Sequence, residues 1–140
     1  MKYILYEKFK ETEDYQQFIK NNPDIGNLKI EAFTAYGAVP ISDTQILITK
    51  EINGKNVLFF NGYTNSSGII EKIELPAPPS VAVAAENDLP LYTIYDLTAI
   101  HEGFETIKKY RIGMFGGINI IQYVKMTPQV ELKGVETNGD

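Results

Sequence analysis

Short runs of apolar residues, separated by turn residues, follow one another from residue 26 to residue 128. In the run NLKIEAFTA, apolar and polar side chains alternate, so that Leu28, Ile30 and Ala32 share one face of a strand. No long helical pattern lies between the runs, and short strands at this spacing are typical of a β-sandwich. We therefore predict a mainly β fold, an antiparallel seven-stranded Greek-key β-sandwich. The seven predicted strands lie in NLKIEAFTA, TQILITK, KNVLFF, GIIEKIELP, LYTIYDLTAI, ETIKKYRI and INIIQYVKM.

The clearest turn in the sequence lies between two of these strands. Asn53 and Gly54 separate the runs ILITKEI and KNVLFF. Both residue types tolerate the positive φ angles of a two-residue hairpin turn. We therefore expect the two strands to be neighbours in one sheet.

Residues 1–26 differ from the rest of the chain because their apolar positions follow a helical period. Thr12 is a candidate N-cap, acidic residues follow it, and Pro23 comes after the expected end of the helix. The apolar face of this short amphipathic helix consists of Tyr15, Phe18 and Ile19. The run KYILYEKF before it is a candidate for a short strand. Such an arm packs on its own domain or on a partner, and the pattern leaves both open.

Two connections and a tail complete the predicted organisation. The segment 75–90 holds four of the seven prolines and is expected to form a long loop, because proline cannot donate to a strand ladder. The segment 113–119, with three glycines and Phe115, is expected to be a turn with an aromatic plug. The predicted units are an N-terminal arm of residues 1–26, a β-sandwich of residues 27–128 and a flexible tail of residues 129–140.

Composition narrows the classes of function. Thirteen basic residues against eighteen acidic ones give a formal net charge of −5, which disfavours binding to nucleic acid or to an anionic membrane. The absence of cysteine excludes disulfides, thiolate zinc sites and cysteine nucleophiles. No apolar run approaches the roughly 18 residues of a membrane-spanning helix, and the first residues lack the pattern of a signal peptide.

The one histidine, His101, is the first candidate for catalysis because three carboxylates lie near it in the sequence. These are Asp96, Glu102 and Glu105. A serine hydrolase also needs an activated hydroxyl beside the imidazole, but the four serines fall in expected turns and none lies in a Gly-x-Ser-x-Gly elbow. Gly103 allows the chain to bend just after His101. We interpret His101 as a turn residue and predict no catalytic residue; a hydrolase that uses His101 with Asp96 or Glu102 is the alternative.

Other kinds of site have weaker signatures. Glu71 and Glu74 are three residues apart, so on a regular strand they project from opposite faces and cannot form an acid–base pair. Asp43, Asn65 and residues 87–90 offer oxygen ligands for calcium, but without the spacing of an EF-hand loop. The glycine-rich turn is not followed by a helical pattern, so we expect no phosphate-binding loop. We predict neither a metal nor a cofactor.

Several short motifs occur in a definite order. Pro40 opens the stretch PISDTQILI, Thr64 to Gly68 form the turn TNSSG, and Gly103-Phe104 follow the strand LYTIYDLTAI. In this order they resemble the carboxypeptidase regulatory-like domain, a prealbumin-like, immunoglobulin-like sandwich, over about residues 26–128. Asn65 stands where that family has aspartate, and Phe104 where it has tyrosine. With the hairpin residues, the predicted structural residues are Pro40, Asn53, Gly54, Thr64, Asn65, Gly68, Gly103 and Phe104.

The runs IELPAPPS, YTIYDLTAIHEGFETI and IQYVKMTP also look like a module of clostridial peptidoglycan-binding proteins and of spore cortex-lytic enzyme precursors. That resemblance implies a noncatalytic accessory module in a cell-wall or spore context. A similar sandwich serves the transthyretin-like 5-hydroxyisourate hydrolases, which rely on several histidines. This chain has one histidine, and its Tyr110-Arg111 is followed by Ile112-Gly113 rather than by that family's Gly-Ser.

The expected function is therefore that of a noncatalytic accessory module that binds a protein or peptidoglycan through loops or an exposed sheet face, in a Gram-positive bacterium. Nine tyrosines and seven phenylalanines lie mostly in strand runs, and a minority on an exposed face would suit such binding. A structural subunit of a bacterial or phage assembly is a further alternative. We expect neither a nucleic acid nor a membrane as partner, and the arm is a candidate for exchange in a homodimer. The expected location is cytoplasmic as synthesised, with the spore or cell envelope left open.

Overall fold

The computed structural model describes residues 2–80, 86 and 91–130. Its helices and strands are β1 Ile4–Leu5, α1 Tyr6–Phe9, α2 Glu13–Asn21, β2 Asp24–Thr34, β3 Gln45–Ile52, β4 Lys55–Tyr63, β5 Ile69–Ala77, β6 Thr93–Ile100, β7 Ile107–Met114 and β8 Asn119–Met126. The expected flexible tail from residue 131 onward lies outside the described residues, as does most of the expected loop 75–90.

The strands form two sheets that share one core. Five strands lie in the order β1-β4-β3-β6-β7, and three lie in the order β5-β2-β8. The predicted β-sandwich is confirmed, whereas the purely antiparallel arrangement of seven strands is wrong. Residues Ile4–Leu5 add an eighth strand, parallel to β4. β8 lies parallel to β2, because the turn after β7 takes the chain across to the other sheet, and only hairpin partners must be antiparallel.

The main core lies between the sheets and is built from alternating positions of the strands. Leu28 and Ile30 of β2 are fully buried, as are Ile46 and Ile48 of β3. Burial of each such side chain contributes about 1.5–3 kcal/mol. The predicted apolar faces of these strands are therefore confirmed.

Tyr95 of β6 connects the two sheets through the core. Its hydroxyl donates a hydrogen bond of 2.5 Å to the carbonyl oxygen of Pro76 on β5, and burial raises the pKa of this phenol well above its ordinary value. This hydrogen bond links the two sheets. Its loss would destabilise the fold, because a buried hydroxyl without a partner costs free energy.

The proline-rich segment begins as a strand and not as a loop. β5 continues to Ala77, and Pro76 pairs with Ile25 of β2. An edge strand tolerates proline because only one of its sides has a hydrogen-bonded neighbour. The prediction that a loop begins at residue 75 is therefore wrong for residues 75–77.

The N-terminal arm packs on its own sandwich. Phe9 of α1 and Phe18 of α2 form a second core with Ile52 and Val57 of the β3–β4 hairpin. The helix begins after Thr12, as the sequence predicts, although the Thr12 hydroxyl donates to the carbonyl of Phe9 instead of capping the helix. The apolar face of α2 thus packs on the β3–β4 hairpin of the same chain.

Phe59 joins the two cores. Phe59 lies at a bulge in β4, where the register with β3 shifts. The centroid of its ring lies 4.5 Å from the ring centroid of Tyr6 in the arm and 5.0 Å from that of Tyr95 in the sandwich. Aromatic pairs at such distances contribute about 0.5–1.5 kcal/mol beyond burial. The arm and the sandwich are therefore packed as one body around this ring.

Candidate functional site

The structure places Asn53 and Gly54 in the two-residue turn between β3 and β4. Their φ angles are 49° and 80°, and the flanking Ile52 and Lys55 are paired. The Asn53 side chain also donates to a carboxylate oxygen of Asp14 at 2.9 Å. This turn therefore supports the arm as well as the hairpin.

Thr64 and Asn65 organise the turn before β5. The Thr64 hydroxyl donates to the carbonyl of Ile41 at 2.7 Å and accepts from the backbone N–H of Thr44 at 2.9 Å. The side-chain amide oxygen of Asn65 accepts the backbone N–H groups of Ser67 and Ile69 at 2.9 and 3.0 Å. These oxygen atoms are engaged in holding the backbone, which is the role that a structural turn requires.

Gly68 and Pro40 pack against the same strand of the three-stranded sheet. Gly68 has a φ of 75°, and a side chain there would collide with the carbonyl oxygen of Ala32. Pro40 forms an isolated bridge with Phe33. Pro40, in the connection after β2, and Gly68, in the turn before β5, thus both lie close to β2.

His101 lies in the bend after β6. Its Nδ1 is 2.7 Å from the carbonyl oxygen of Glu102, so that nitrogen carries the hydrogen and donates it. The ring packs edge-on against Phe104 at 5.3 Å, and Gly103 between them has a φ of 87°. Within the described part of the chain, the ring forms no hydrogen bond with a hydroxyl and no salt bridge with a carboxylate.

The carboxylates considered as an acid–base pair do not follow the alternation of a regular strand. A bulge in the β2–β5 pairing breaks the register opposite Lys29, so Glu71 and Glu74 are both exposed. Glu71 lies 3.9 Å from the Lys29 ammonium, and Glu74 lies 3.3 Å from that of Lys72. The prediction that they face opposite sides is therefore wrong, and each is paired with a lysine.

The described residues contain no cluster of three or more histidine or carboxylate side chains placed to hold a metal. Asp43, one of the predicted oxygen ligands, lies in a turn with a φ of 58°. The Asn65 oxygen is occupied by backbone N–H groups. Residues 87–90, the remaining candidates, lie outside the described residues.

A cleft of about 600 Å³ lies where α2 crosses the end of the five-stranded sheet. The pairing of β3 with β6 ends at Thr49 and Asp96, so the next residues of the two strands separate. Lys50 fills part of this gap and donates to the carbonyl of Ile94 at 2.9 Å. Burial lowers the pKa of this ammonium below its ordinary value, although the charge of Asp96 opposes the shift. Lys50 thus donates to the Ile94 carbonyl the hydrogen bond that the backbone of a paired strand would otherwise donate.

A second groove, of about 250 Å³, lies between β7 and β8, which are edge strands among the described strands of the two sheets. Tyr110 on β7 and Tyr123 on β8 flank it, and they expose 51% and 56% of their surface. Two buried side chains of the core, Leu97 and Val124, line its floor. An apolar floor between two exposed aromatic rings can bind an extended polymer by stacking and burial. We call this site the tyrosine groove.

Sequence reasoning did not single out Tyr110 or Tyr123. In INIIQYVKM, the even-numbered residues are buried, as Val124 is, or half-buried, while Ile121 and Tyr123 occupy the opposite face and are exposed. An apolar residue on each face of a short strand is the signal that could have identified the groove. The sequence alone does not reveal which strands lie at an edge, so it does not show that these positions flank a groove.

Comparisons with known proteins bear on the fold. No protein-family model matches the chain, and no curated protein sequence matches it. The shaft pilin SpaA of Lactobacillus rhamnosus GG is similar in structure, with a TM-score of 0.50 and 13% identity over 76% of this chain and 52% of the pilin. This likeness supports the β-sandwich and shows the fold alone.

Two further solved structures have TM-scores of 0.49. The TIE protein of Bacillus anthracis is 21% identical over 75% of this chain and 17% of its own length. The 5-hydroxyisourate hydrolase of Klebsiella pneumoniae is 16% identical over 75% of this chain and 92% of its own length. The chain therefore corresponds to a small part of the TIE protein and about half of the pilin. Among the described residues, no helix has the length and apolar character needed to cross a membrane.

Proposed function

We propose that this chain is a noncatalytic β-sandwich module that binds a partner protein or a cell-wall polymer such as peptidoglycan at the tyrosine groove. The observation that carries the proposal is the pair of exposed rings, Tyr110 and Tyr123, above an apolar floor between two strand edges that no described strand covers. Exposed aromatic side chains beside a groove are enriched at binding surfaces. A role at the spore or cell envelope of a Gram-positive bacterium belongs to the same proposal.

The contacts of His101 support a noncatalytic role for this residue. Its one hydrogen-bonded nitrogen is directed at a neighbouring backbone carbonyl, and its ring packs on Phe104. A general base needs its free nitrogen within reach of the proton that it abstracts and a group that orients the ring toward it. Here the orienting contacts hold the ring to its own turn.

The experiment that tests the function is retention on purified peptidoglycan and capture of partners from a cell lysate. The double variant Tyr110→Ala/Tyr123→Ala removes both rings of the groove, and Tyr36→Ala/Tyr63→Ala is the matched control, because Tyr36 and Tyr63 are also highly exposed. We expect the first variant to lose retention and the second to keep it. Equal retention by both variants would contradict the proposal.

The arm is not the binding element in this proposal. Because Phe9 and Phe18 fill a core with the β3–β4 hairpin, deletion of residues 1–26 would unfold the hairpin region and would not isolate a binding determinant. Exchange of the arm between two chains stays a separate proposal. Size-exclusion chromatography over a concentration series tests it, and a constant elution volume would contradict it.

A further inference from the structure

The outer face of the three-stranded sheet, which is turned away from the main core, carries two asparagines on neighbouring strands. Asn27 on β2 and Asn119 on β8 lie side by side in the parallel register. The Nδ2 group of Asn27 donates to Oδ1 of Asn119 at 2.9 Å. Asn119 is exposed, whereas Asn27 is half-buried. We call these two residues the asparagine pair.

One atom of the asparagine pair lacks a partner. Oδ1 of Asn27 is buried, and it accepts no hydrogen bond from any described residue. A buried acceptor without a donor costs free energy, and most such groups in folded proteins are satisfied. The hydrogen bond within the pair uses the oxygen of Asn119 and leaves its exposed amino group with two N–H donors. The pair thus offers an unused acceptor beside unused donors.

A hollow of about 340 Å³ lies beside the asparagine pair and is lined by both of its members. Ile121 of β8 also lines it and exposes 47% of its surface. Lys29 and Glu71 line it as well, with their charged groups 3.9 Å apart. The χ2 torsion of asparagine is broad, so a rotation of the Asn27 amide turns its oxygen toward the hollow. A ligand in the hollow can then contact both amides and an apolar side chain.

The charged side chains along this face of the sheet balance one another. They are three lysines and three glutamates, namely Lys29, Lys72, Lys125, Glu31, Glu71 and Glu74. Lys29 forms salt bridges with two of the glutamates, and Lys72 forms one with the third. The face therefore has no net charge with which to attract an anion or a cation. It suits a neutral ligand that brings its own hydrogen-bond donors and acceptors.

The same face continues into the tyrosine groove. Tyr123 lies on the same side of β8 as Asn119 and Ile121, because successive side chains of a strand alternate. Asn119 and Tyr123 are four residues apart, which is about 13 Å along a strand. The ring of Phe33 packs edge-on against that of Tyr123, with the centroids 6.2 Å apart, and holds it in place. One extended ligand can therefore stack on Tyr123 and reach the asparagine pair.

As a refinement that rests on the binding function proposed above, we propose that the asparagine pair and its hollow form a subsite for the acetamido group of a neutral cell-wall glycan. The N–H of the acetamido group donates to Oδ1 of Asn27, and its carbonyl oxygen accepts from Nδ2 of Asn119. Its methyl group contacts Ile121. The glycan then continues toward Tyr123, where a sugar ring stacks on the phenol. A glycan with hydroxyls in place of the acetamido groups does not reproduce these contacts.

Titration of isotope-labelled protein with a trimer of N-acetylglucosamine tests the subsite by nuclear magnetic resonance. We expect the side-chain amide signals of Asn27 and Asn119 to shift and to saturate. Gln45 and Asn61 form a similar amide pair on the five-stranded sheet, with a hydrogen bond of 3.0 Å, and their signals should not shift. Cellotriose, a glucose trimer with hydroxyls in place of the acetamido groups, should bind at least about tenfold more weakly.

Matched asparagine variants test the two amides separately. Asn27→Ala and Asn119→Ala should each weaken binding of the trimer about tenfold and reduce retention on purified peptidoglycan, whereas Asn61→Ala should change neither. Asn27→Ala also removes the unsatisfied acceptor, so its thermal unfolding midpoint should be no lower than that of Asn61→Ala. A lower midpoint with unchanged affinity would show that Asn27 serves stability alone and would overturn the subsite. Unchanged retention of both variants on peptidoglycan would overturn the cell wall as the source of the glycan.

Two further results would overturn the choice of an acetamido-bearing glycan. One is equal affinity for cellotriose and the N-acetylglucosamine trimer, which would reduce the interaction to ring stacking. The other is an equal shift of the Asn27 and Asn119 signals by N-acetylalanine methylamide, which would identify a peptide as the ligand. If the tyrosine variants lose retention on peptidoglycan or partner while the trimer leaves the asparagine signals unchanged, the binding function stands and the acetamido subsite fails.

Discussion

Two edges of the sandwich differ in what covers them. At β4, the arm supplies the parallel strand β1 and places Phe9 and Phe18 against Ile52 and Val57. At β8, no described strand pairs with the outer edge, and the exposed residues include Ile121. The comparison indicates that the β4 side contributes to the stability of the fold, whereas the β8 side borders the groove for which we propose binding. Substitutions on the two sides should therefore have different consequences.

The largest effect is expected for Phe9→Ala on the covered side. Phe9 is fully buried in the second core, and removal of a buried phenylalanine ring costs about 3–5 kcal/mol because a cavity remains. Urea unfolding of the variant measures the loss. Leu5→Ala, at an exposed position of the same arm, is the control. A loss for Phe9→Ala no greater than for Leu5→Ala would show that the arm is not part of the folded core.

A smaller effect is expected for Asn53→Ala in the hairpin turn of the covered side. Asn53 has a φ of 49°, and the left-handed conformation costs alanine about 1–2 kcal/mol. Asn53→Gly keeps the turn conformation and should lose less, although both variants lose the hydrogen bond to Asp14. Thermal unfolding of both variants measures the difference. Equal losses would attribute the effect to the hydrogen bond and not to the backbone.

The pH dependence of arm docking is expected to be weaker still. Hydrogen bonds from Lys55 and Asn53 lower the pKa of Asp14 below its ordinary value. A carboxylate with a depressed folded pKa contributes stability that is present above its ordinary value of 3.8 and is lost as the pH falls through the folded pKa. Asp14→Asn should therefore reduce the drop in unfolding midpoint between neutral and strongly acidic solution. An unchanged drop would contradict this, and Glu13→Gln on the same helix is the control.

The smallest effect on stability is expected for Ile121→Lys on the open side. The side chain is exposed, so the substitution should change the free energy of unfolding by no more than about 0.5 kcal/mol. It places a lysine on the open edge, as natural edge strands do. Urea unfolding measures the change in the free energy of unfolding. A large loss of stability would place Ile121 in the core and remove the distinction between the two sides.

The β-rich fold could be predicted because alternation along a strand is a local property. Leu28 and Ile30 mark the buried face of β2 without any knowledge of its neighbours. The parallel pairing of β2 with β8 could not be predicted, since strand direction depends on how the chain crosses between sheets. The bulges could not be predicted for a similar reason, because a register shift such as the one beside Glu71 depends on the partner strand.

The turn residues were easier to place than the groove. Asn53 and Gly54 carry their conformational preference in their own chemistry. Tyr110 and Tyr123 are ordinary strand residues whose exposure depends on the absence of a neighbouring strand within the described part of each sheet. Sequence patterns record what a residue prefers, and they do not record which strands end up without a neighbour.

The parallel pairing of β2 with β8 also constrains when the fold can be completed during synthesis. The side chains of Asn27 and Asn119, which are 92 positions apart in the chain, share a hydrogen bond across these two strands. While the ribosome is still translating the middle of the chain, β2 has one neighbour at most in its own sheet, and its second side stays unpaired. Closure of a contact this distant in sequence is slow, so the nascent chain must remain protected from aggregation until its last strand emerges.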